Sequence, residues 1–291
     1  MTESQRCAII PLLMKIQLAK SAGFCFGVRR ALDIAFKTAK SHTNVQMLGD
    51  IVHNEDVIKA IKKAGIKKIK RLTHGLNKTL LIRAHGSSTA TLKKAMVLGY
   101  AIMDATCPKV KEIHGIAKEM ERKDYQIIII GDKEHDEVQG IMGQLKGEVL
   151  VIDSIRNIPF PMLTKIKRAA VVVQSTQNLE KVLKIVDKLK ARIENLKFFN
   201  TICGPTRIKQ AEIKLMPLEN DMMIILGSKT SANTRRLYEI SKALNRKTYW
   251  VQSKKDIKPE WLKSVKRVGV TAGASTPEST TQETIAFLKK L

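Results

Sequence analysis

What most constrains this chain is a repeated junction in which a short apolar run ends, a polar loop follows, and the loop opens an amphipathic stretch. It occurs six times, at "LGDIVHN", "IRAHGSS", "IIIGDKEHDE", "VVVQSTQN", "IILGSKTSAN" and "GVTAGASTPE". Short apolar runs alternating with helical periodicity point to an α/β fold built mainly on parallel strands. Eleven runs read as strands: "KIQLA", "VQML", "TLLIRA", "AIMDA", "QIIII", "EVLVI", "RAAVVVQ", "KFFNTI", "DMMIIL", "TYWVQ" and "RVGVTA". Helix boundaries are also legible. Asn54 reads as an N-cap ahead of Glu55 and Asp56, and Gly65 follows the last periodic residue. Leu179, Val182, Leu183, Val186 and Leu189 form an apolar stripe, and Thr276 with Pro277 reads as N-cap and first helical residue.

The junctions fall two to a segment. Residues 1–25 read as a leader, the first strand and the first of three turn-borne cysteines. Residues 26–107, 108–203 and 204–291 read as three small α/β domains, the last ending in a helix. The segments share no obvious sequence identity, so the repeat is architectural. Ligands collect at the carboxyl ends of parallel strands, where helix N-termini offer free amides to anions. Three such units can aim all six loops at one cavity.

The 291 residues suit two or three domains. No apolar run approaches the roughly 20 residues of a membrane span. "MTESQRCAIIPLLMK" lacks the basic start and small-residue cleavage site of a signal peptide, so a cytoplasmic location is expected. The 52 Lys and Arg against 27 Asp and Glu give a net charge of +25, a field that draws anionic substrates, acidic proteins or nucleic acid. The run "AIKKAGIKKIKR" reads as a solvated helix face. Aromatic residues are only 4% of the chain, which argues against single-strand nucleic-acid binding by base stacking.

Cys7 lies in the leader and is assigned no role. Cys25, Cys107 and Cys203 sit in "GFCFG", "DATCPKV" and "NTICGPT", one near each segment boundary, with glycine or proline beside them. Any one alone would read as a small buried hydrophobe. Together they can hold zinc or an iron–sulfur cluster with one position open; the absence of a C-x-x-C pair leans toward a cluster held between domains. His42, His74 and His114 read as surface residues. His53, His85 and His135 fall in three of the six loops, where imidazolium groups and helix amides would make a diphosphate cradle.

"GFCFGVRRA", "IVHN", "AHG", "DATCPKV", "HDEVQGIMGQ", "QST", "TIC", "GSKTSANTRRL" and "VTAGASTPE" occur in an order and spacing that resembles the LytB/IspH family of 4-hydroxy-3-methylbut-2-enyl diphosphate reductases, from about Lys15 to the C-terminus. The resemblance implies a pseudo-threefold trefoil of three α/β domains around a central, oxygen-sensitive [4Fe-4S] cluster. It implies two-electron reductive dehydroxylation to isopentenyl and dimethylallyl diphosphates, the last step of the methylerythritol phosphate route to isoprenoids. Cys25, Cys107 and Cys203 would then be the cluster ligands, with the fourth iron open to the substrate hydroxyl. Glu137 would supply a proton, with Ser175 and Thr176 near the reacting end. His53, His85, His135, Ser231, Asn233 and Ser275 would grip the diphosphate. A small acidic ferredoxin or flavodoxin is the implied electron donor, and a monomer is expected.

The chain departs from the family pattern at four places. Ser175-Thr176 stands where Thr-Thr is common, Ala232 interrupts Ser-Ser-Asn, "TRIKQ" leaves Lys209 and Gln210 after the third cysteine, and a His soon after Gly131 is missing. A zinc hydrolase using the same Cys and His residues, and a basic nucleic-acid-binding module, are the competing readings.

Overall fold

The computed structural model describes residues 14–290. Its strands are β1 (Lys15–Leu18), β2 (Val45–Leu48), β3 (Lys67–Ile69), β4 (Thr79–Ile82), β5 (Ala101–Asp104), β6 (Gln126–Ile130), β7 (Val149–Ile152), β8 (Arg168–Val173), β9 (Asn195–Phe198), β10 (Met222–Leu226), β11 (Thr248–Val251) and β12 (Arg267–Ala272). The helices are α1 (Phe26–Ser41), α2 (Glu55–Lys63), α3 (Thr89–Val97), α4 (Pro108–Arg122), α5 (Asp136–Met142), α6 (Phe160–Leu163), α7 (Leu179–Lys190), α8 (Gly204–Glu219), α9 (Ala232–Leu244) and α10 (Glu278–Leu288).

The strands form three four-stranded sheets in the orders β3-β2-β4-β5, β7-β6-β8-β9 and β11-β10-β12-β1, with every pairing parallel. Each sheet has the same plan, running second, first, third, fourth. In the last sheet the fourth place is filled by β1, from the other end of the chain, paired Lys15 to Arg267 through Leu18 to Val270. The molecule is thus the expected trefoil of three α/β units.

Successive side chains of a strand point to opposite faces, and each sheet carries a core on both. In the second unit Ile128, Ile130, Val171 and Val173 pack with α7, while Ile127, Ile129, Ala170 and Val172 pack with α4 and α5. In the third, Met222, Ile224 and Leu226 face the α10 side, and Met223 and Ile225 face α8 and α9. The central strands are apolar without interruption because both their faces are covered.

This plan decides where chemistry can sit. The loops after the first and third strands of each sheet carry His53 and His85, His135 and Ser175, and Ser231 and Ser275. The N-cap of the helix after the fourth strand is a cysteine every time: Cys107 between β5 and α4, Cys203 between β9 and α8 and Cys25 between β1 and α1. Three polar contacts close the units into a ring. Arg83 of the first meets Asp136 of the second at 2.6 Å, and Arg236 of the third meets Asp132 of the second at 2.7 Å. Ser228 of the third donates to Glu55 of the first at 2.8 Å.

Several local expectations shift. "AIKKAGIKKIKR" is not one helix face: α2 stops at Lys63, Gly65 turns the chain at φ 89°, and Lys67–Ile69 become the edge strand β3. Leu183 points to solvent and Ile185 takes its place in the core. Pro277, not Thr276, is the N-cap of α10, because the buried Thr276 hydroxyl is spent on the Leu226 carbonyl. Asn54 does cap α2, accepting from the amides of Asp56 and Val57. Cys7 lies outside the described residues. Among the described residues no helix is long and apolar enough to cross a membrane.

Thr201 links fold to site. Its hydroxyl accepts from the Val173 amide at 2.7 Å and donates to the Val173 carbonyl at 2.5 Å, pinning the end of β8 to the segment that enters Cys203. Thr201→Val preserves shape and leaves both buried backbone groups unpaired, so urea unfolding should show a loss of about 2–4 kcal/mol.

Candidate functional site

All twelve residues singled out from the sequence line one cavity of about 110 Å³: the three cysteines, the three loop histidines, Glu137, Ser175, Thr176, Ser231, Asn233 and Ser275. Five of its lining residues are helix N-caps, namely Cys25, Cys107, His135, Cys203 and Ser231. The helices α1, α4, α5, α8 and α9 therefore bring the positive ends of their dipoles and their first free amides to one space.

The cysteines are unusual caps, since none uses its side chain to bond its own helix's backbone within capping geometry. All three are free thiols and half-buried. A Cβ built on Gly27 would lie 2.5 Å from the Cys107 sulfur and 3.9 Å from that of Cys25, so only glycine there lets the two thiols face each other. Cys203 Sγ lies 3.0 Å from the Thr206 hydroxyl. Burial raises the pKa of the Cys107 and Cys203 thiols, and the neighbouring Cys25 and Glu137 push the same way. Three soft donors crowded in a pocket that discourages their own ionisation, yet surrounded by positive helix ends, fit a metal centre that would take them as thiolates.

Glu137 is buried, in the first turn of α5. Its carboxyl accepts from the Ser175 amide at 2.6 Å and the Ser175 hydroxyl at 2.8 Å. Burial raises its pKa above the ordinary glutamate value, and the two Ser175 bonds only partly oppose this. The Thr176 hydroxyl accepts from Gln174.

His53, His85 and His135 form a tight group, with ring centroids 4.6, 5.4 and 5.5 Å apart, and with one ligand atom from each within 4.8 Å of the others. The imidazolium cradle read from the sequence is corrected by the structure. Burial is the first cause that lowers the pKa of all three, with His135 brought to about 4 and His85 well below the ordinary value. Burial thus biases all three toward the neutral form. His135 Nδ1 accepts the Glu137 amide at 3.1 Å, which fixes the tautomer and leaves Nε2–H as the donor. Beside them His53 Nε2, His85 Nδ1 and Asn233 Nδ2 are buried without a hydrogen-bond partner. Unpaired buried polar atoms are rare in proteins and here mark a place shaped for a polar ligand. Ser275 donates to the His53 carbonyl at 2.9 Å, and Ser231 accepts from the Thr234 amide at 3.3 Å.

The sequence reading missed the roles of five residues. His114 is not a surface residue: it lies beneath the His85 turn, where a Cβ on Gly86 would come within 2.9 Å of its ring, and burial lowers its pKa to about 4. Helical spacing from Cys107 through Val110 and Ala117 would have placed it inward. Arg83 and Asp136 form an ion pair that also holds Asp136 3.6 Å from His53. Lys209 and Gln210 act as struts. Lys209 donates to the carbonyls of Ser21 and Ala272, joining the ends of β1 and β12, with its pKa lowered by burial to about 8. Gln210 donates to the Gln177 carbonyl at 2.9 Å.

Residues 16–289 match the family model described as "LytB protein". The chain belongs to the LytB family. It is 36% identical over 278 residues to the 4-hydroxy-3-methylbut-2-enyl diphosphate reductase of Geotalea uraniireducens, covering 96% of this chain and 98% of the relative. It is 37% identical to the enzyme of that name from Aquifex aeolicus, covering 91% and 93%. A solved structure of (E)-4-hydroxy-3-methyl-but-2-enyl diphosphate reductase, described as the terminal enzyme of the non-mevalonate pathway, superposes with a TM-score of 0.71 at 36% identity, covering 96% of this chain and all of that one. The Plasmodium falciparum reductase superposes with a TM-score of 0.86 at 27% identity, covering 94% and 87%. The trefoil of this LytB chain is therefore shared with solved reductases.

The buried histidines set a pH dependence. His114 and His135 have folded pKa values of about 4 against an ordinary 6.5, so between these values the unfolded chain binds more protons than the folded one. Their contribution is complete above about pH 6.5 and is lost as pH falls toward 4, roughly 2 kcal/mol for each by pH 5. Thermal melts should show the fall, and His114→Gln should make it shallower.

Proposed function

We propose that this LytB protein reduces 4-hydroxy-3-methylbut-2-enyl diphosphate to isopentenyl and dimethylallyl diphosphates, the terminal reaction of the methylerythritol phosphate route. The observation that carries the reading is the meeting, in one cavity, of three free cysteines at helix N-caps with a buried carboxyl and a neutral histidine trio. Family membership and the reductase names of the relatives support the same activity.

Cys25, Cys107 and Cys203 would hold a [4Fe-4S] cluster with its fourth iron free of protein ligands. When bound, that cluster supplies electrons one at a time and a Lewis-acidic iron. The rest of the work falls to side chains of this chain. The diphosphate enters at the helix N-termini, where His135 Nε2–H, His53, His85, Asn233 Nδ2, the Ser231 hydroxyl and, once it turns away from the His53 carbonyl, the Ser275 hydroxyl donate to its oxygens. Neutral imidazoles can bind it as single hydrogen-bond donors, and the buried dianion would in turn favour proton uptake by His53 and His85. Ala232 contributes no hydroxyl where relatives of the family carry a serine, so Ala232→Ser should hold affinity or tighten it.

Glu137 holds the proton that turns the departing hydroxyl into water. Its raised pKa keeps the carboxyl protonated in a larger share of molecules near neutrality than an exposed glutamate would be. Ser175, bonded to both carboxyl oxygens, aims it, and Thr176 offers a second hydroxyl to the reacting end. Closing this pocket around an allylic alcohol removes water that would compete for that proton.

Glu137→Gln keeps the shape and removes the acid. Iron content and substrate affinity should match the parent while turnover falls by at least about a hundredfold; near-normal turnover would assign the proton to another group. Anaerobic purification should give a coloured protein with iron and acid-labile sulfide. Cys107→Ser should abolish both, whereas a colourless parent holding zinc would support the hydrolase reading instead.

A further inference from the structure

The three helices that begin at the cysteines share one plan, and one position breaks it. Six residues after the cysteine, α1 carries Ala31 and α4 carries Ile113, both fully buried and apolar. The same place on α8 is Lys209, only 3% exposed. A lysine can normally bury its stem and leave its charged head in water. Here Nζ turns inward instead, donating to the Ser21 carbonyl and, at 3.1 Å, to that of Ala272. The Ala272 carbonyl also accepts from the Gly23 amide at 3.3 Å, and the Cys25 amide donates to the Ala274 carbonyl at 3.2 Å. The ammonium therefore braces the turn that carries Cys25. Both residues line one groove of about 630 Å³ between that turn and α8.

Two carbonyls explain a donor at this place but not a charge. A buried cation is costly unless an anion faces it. Lys209 is in no ion pair among the described residues. Glu212, the one carboxylate in the groove lining, is occupied by the amides of Lys20 and Ser21 and by the Ser21 hydroxyl. Burial lowers the Lys209 pKa to about 8, with Arg29 adding to the effect; Cys25 and then Glu212 oppose it. The charge is thus poorly compensated until Cys25 is a thiolate.

We propose that Lys209 is the counter-charge of the metal centre held by Cys25, and that its ammonium favours the one-electron-reduced state of that centre; this rests on the reductase reading above. Taking up one electron makes the centre more negative by one charge, with no bond made or broken in that step. A positive charge fixed in a buried wall favours this change. It is screened far less than a lysine on the open surface. Net charge and burial around a cluster are among the factors that set its potential.

The test uses the full chain loaded anaerobically with iron and sulfide, held at pH 7 in a viologen redox buffer and read by absorption and electron paramagnetic resonance. Lys209→Met and Lys209→Gln remove the charge, and the second keeps a donor. Lys209→Arg keeps both. At the poise that half-reduces the parent, the ratio of reduced to oxidised centre should fall at least about tenfold in each neutral variant, a shift of about 59 mV to lower potential for a one-electron couple. Lys209→Arg should stay with the parent, and so should Lys188→Met, which removes an exposed charge from α7. Without iron, the neutral variants should melt within a few degrees of the parent, because removing a poorly compensated buried charge offsets the lost hydrogen bonds.

A parental midpoint in either neutral variant overturns the proposal; in Lys209→Gln alone it makes Lys209 a hydrogen-bonding strut. If neither neutral variant folds without iron, the fold itself needs the cation and the proposal falls as well. A folded neutral variant that takes up no iron, with uptake regained in Lys209→Arg, supports the counter-charge. A parent with no iron, no sulfide and no reducible centre overturns the reductase reading itself, whatever the variants do.

Discussion

The structure depends on a collision of helix dipoles. Parallel strands in all three sheets send their carboxyl ends toward one centre, and the helices that follow start there with unsatisfied amides. Left alone, so much positive potential in a small buried space repels cations and makes the charged form of every nearby histidine costly. The lowered pKa values of His53, His85 and His135 have burial as their first cause, and the crowding of the rings against one another adds to it for His85 and His135. Anions resolve the conflict. A thiolate-bound centre on one side and a diphosphate on the other are the two kinds of charge this arrangement favours.

Such a centre must be held open against collapse, and polar contacts between units do so. Arg83–Asp136, Arg236–Asp132 and Ser228–Glu55 each join a different pair of units at the rim. Partly buried ion pairs add little net stability because desolvation offsets attraction, but they accept few alternative geometries. The apolar cores belong to individual sheets, whereas these polar links set one sheet relative to the next. Stability and site geometry are thus carried by different interactions.

Much of this was legible in local patterns. Ten of the eleven expected strands are found in place; "KFFNTI" is displaced, since β9 runs Asn195–Phe198 and Thr201 bonds the end of β8 through its side chain. Six loops, three cysteines and Glu137 meet as the spacing and the family resemblance implied. What escaped was information that a local window does not hold. β3 is three residues, Lys67–Ile69, at a solvent-facing edge, and its lysines look like any helix surface. His114 reads as polar, yet its place one turn beyond Val110 on α4 buries it under Gly86. The lowered histidine pKa values follow from the assembled cavity, so a sequence containing three loop histidines could suggest cations where the fold makes neutral donors. The pairing of β1 with β12 joins opposite ends of the chain, beyond the reach of any periodicity.

That pairing bears on the order in which the protein can be made. The first two units are contiguous in sequence, so each can close its sheet while later residues are still being synthesised on the ribosome. The third cannot: β1 emerges first and its partner, Arg267–Ala272, nearly last. Until then β1 has no neighbouring strand, and Cys25 is held from one side only, by α1, whose Val28, Ala31, Leu32 and Ala35 pack in the core of the first unit. Cys107 and Cys203 follow strands of units one and two, whereas the strand before Cys25 finds its partner only near the end of translation. The wall of the cavity behind Cys25 is therefore the last to be closed, and a product truncated before Arg267 would lack the strand that backs it.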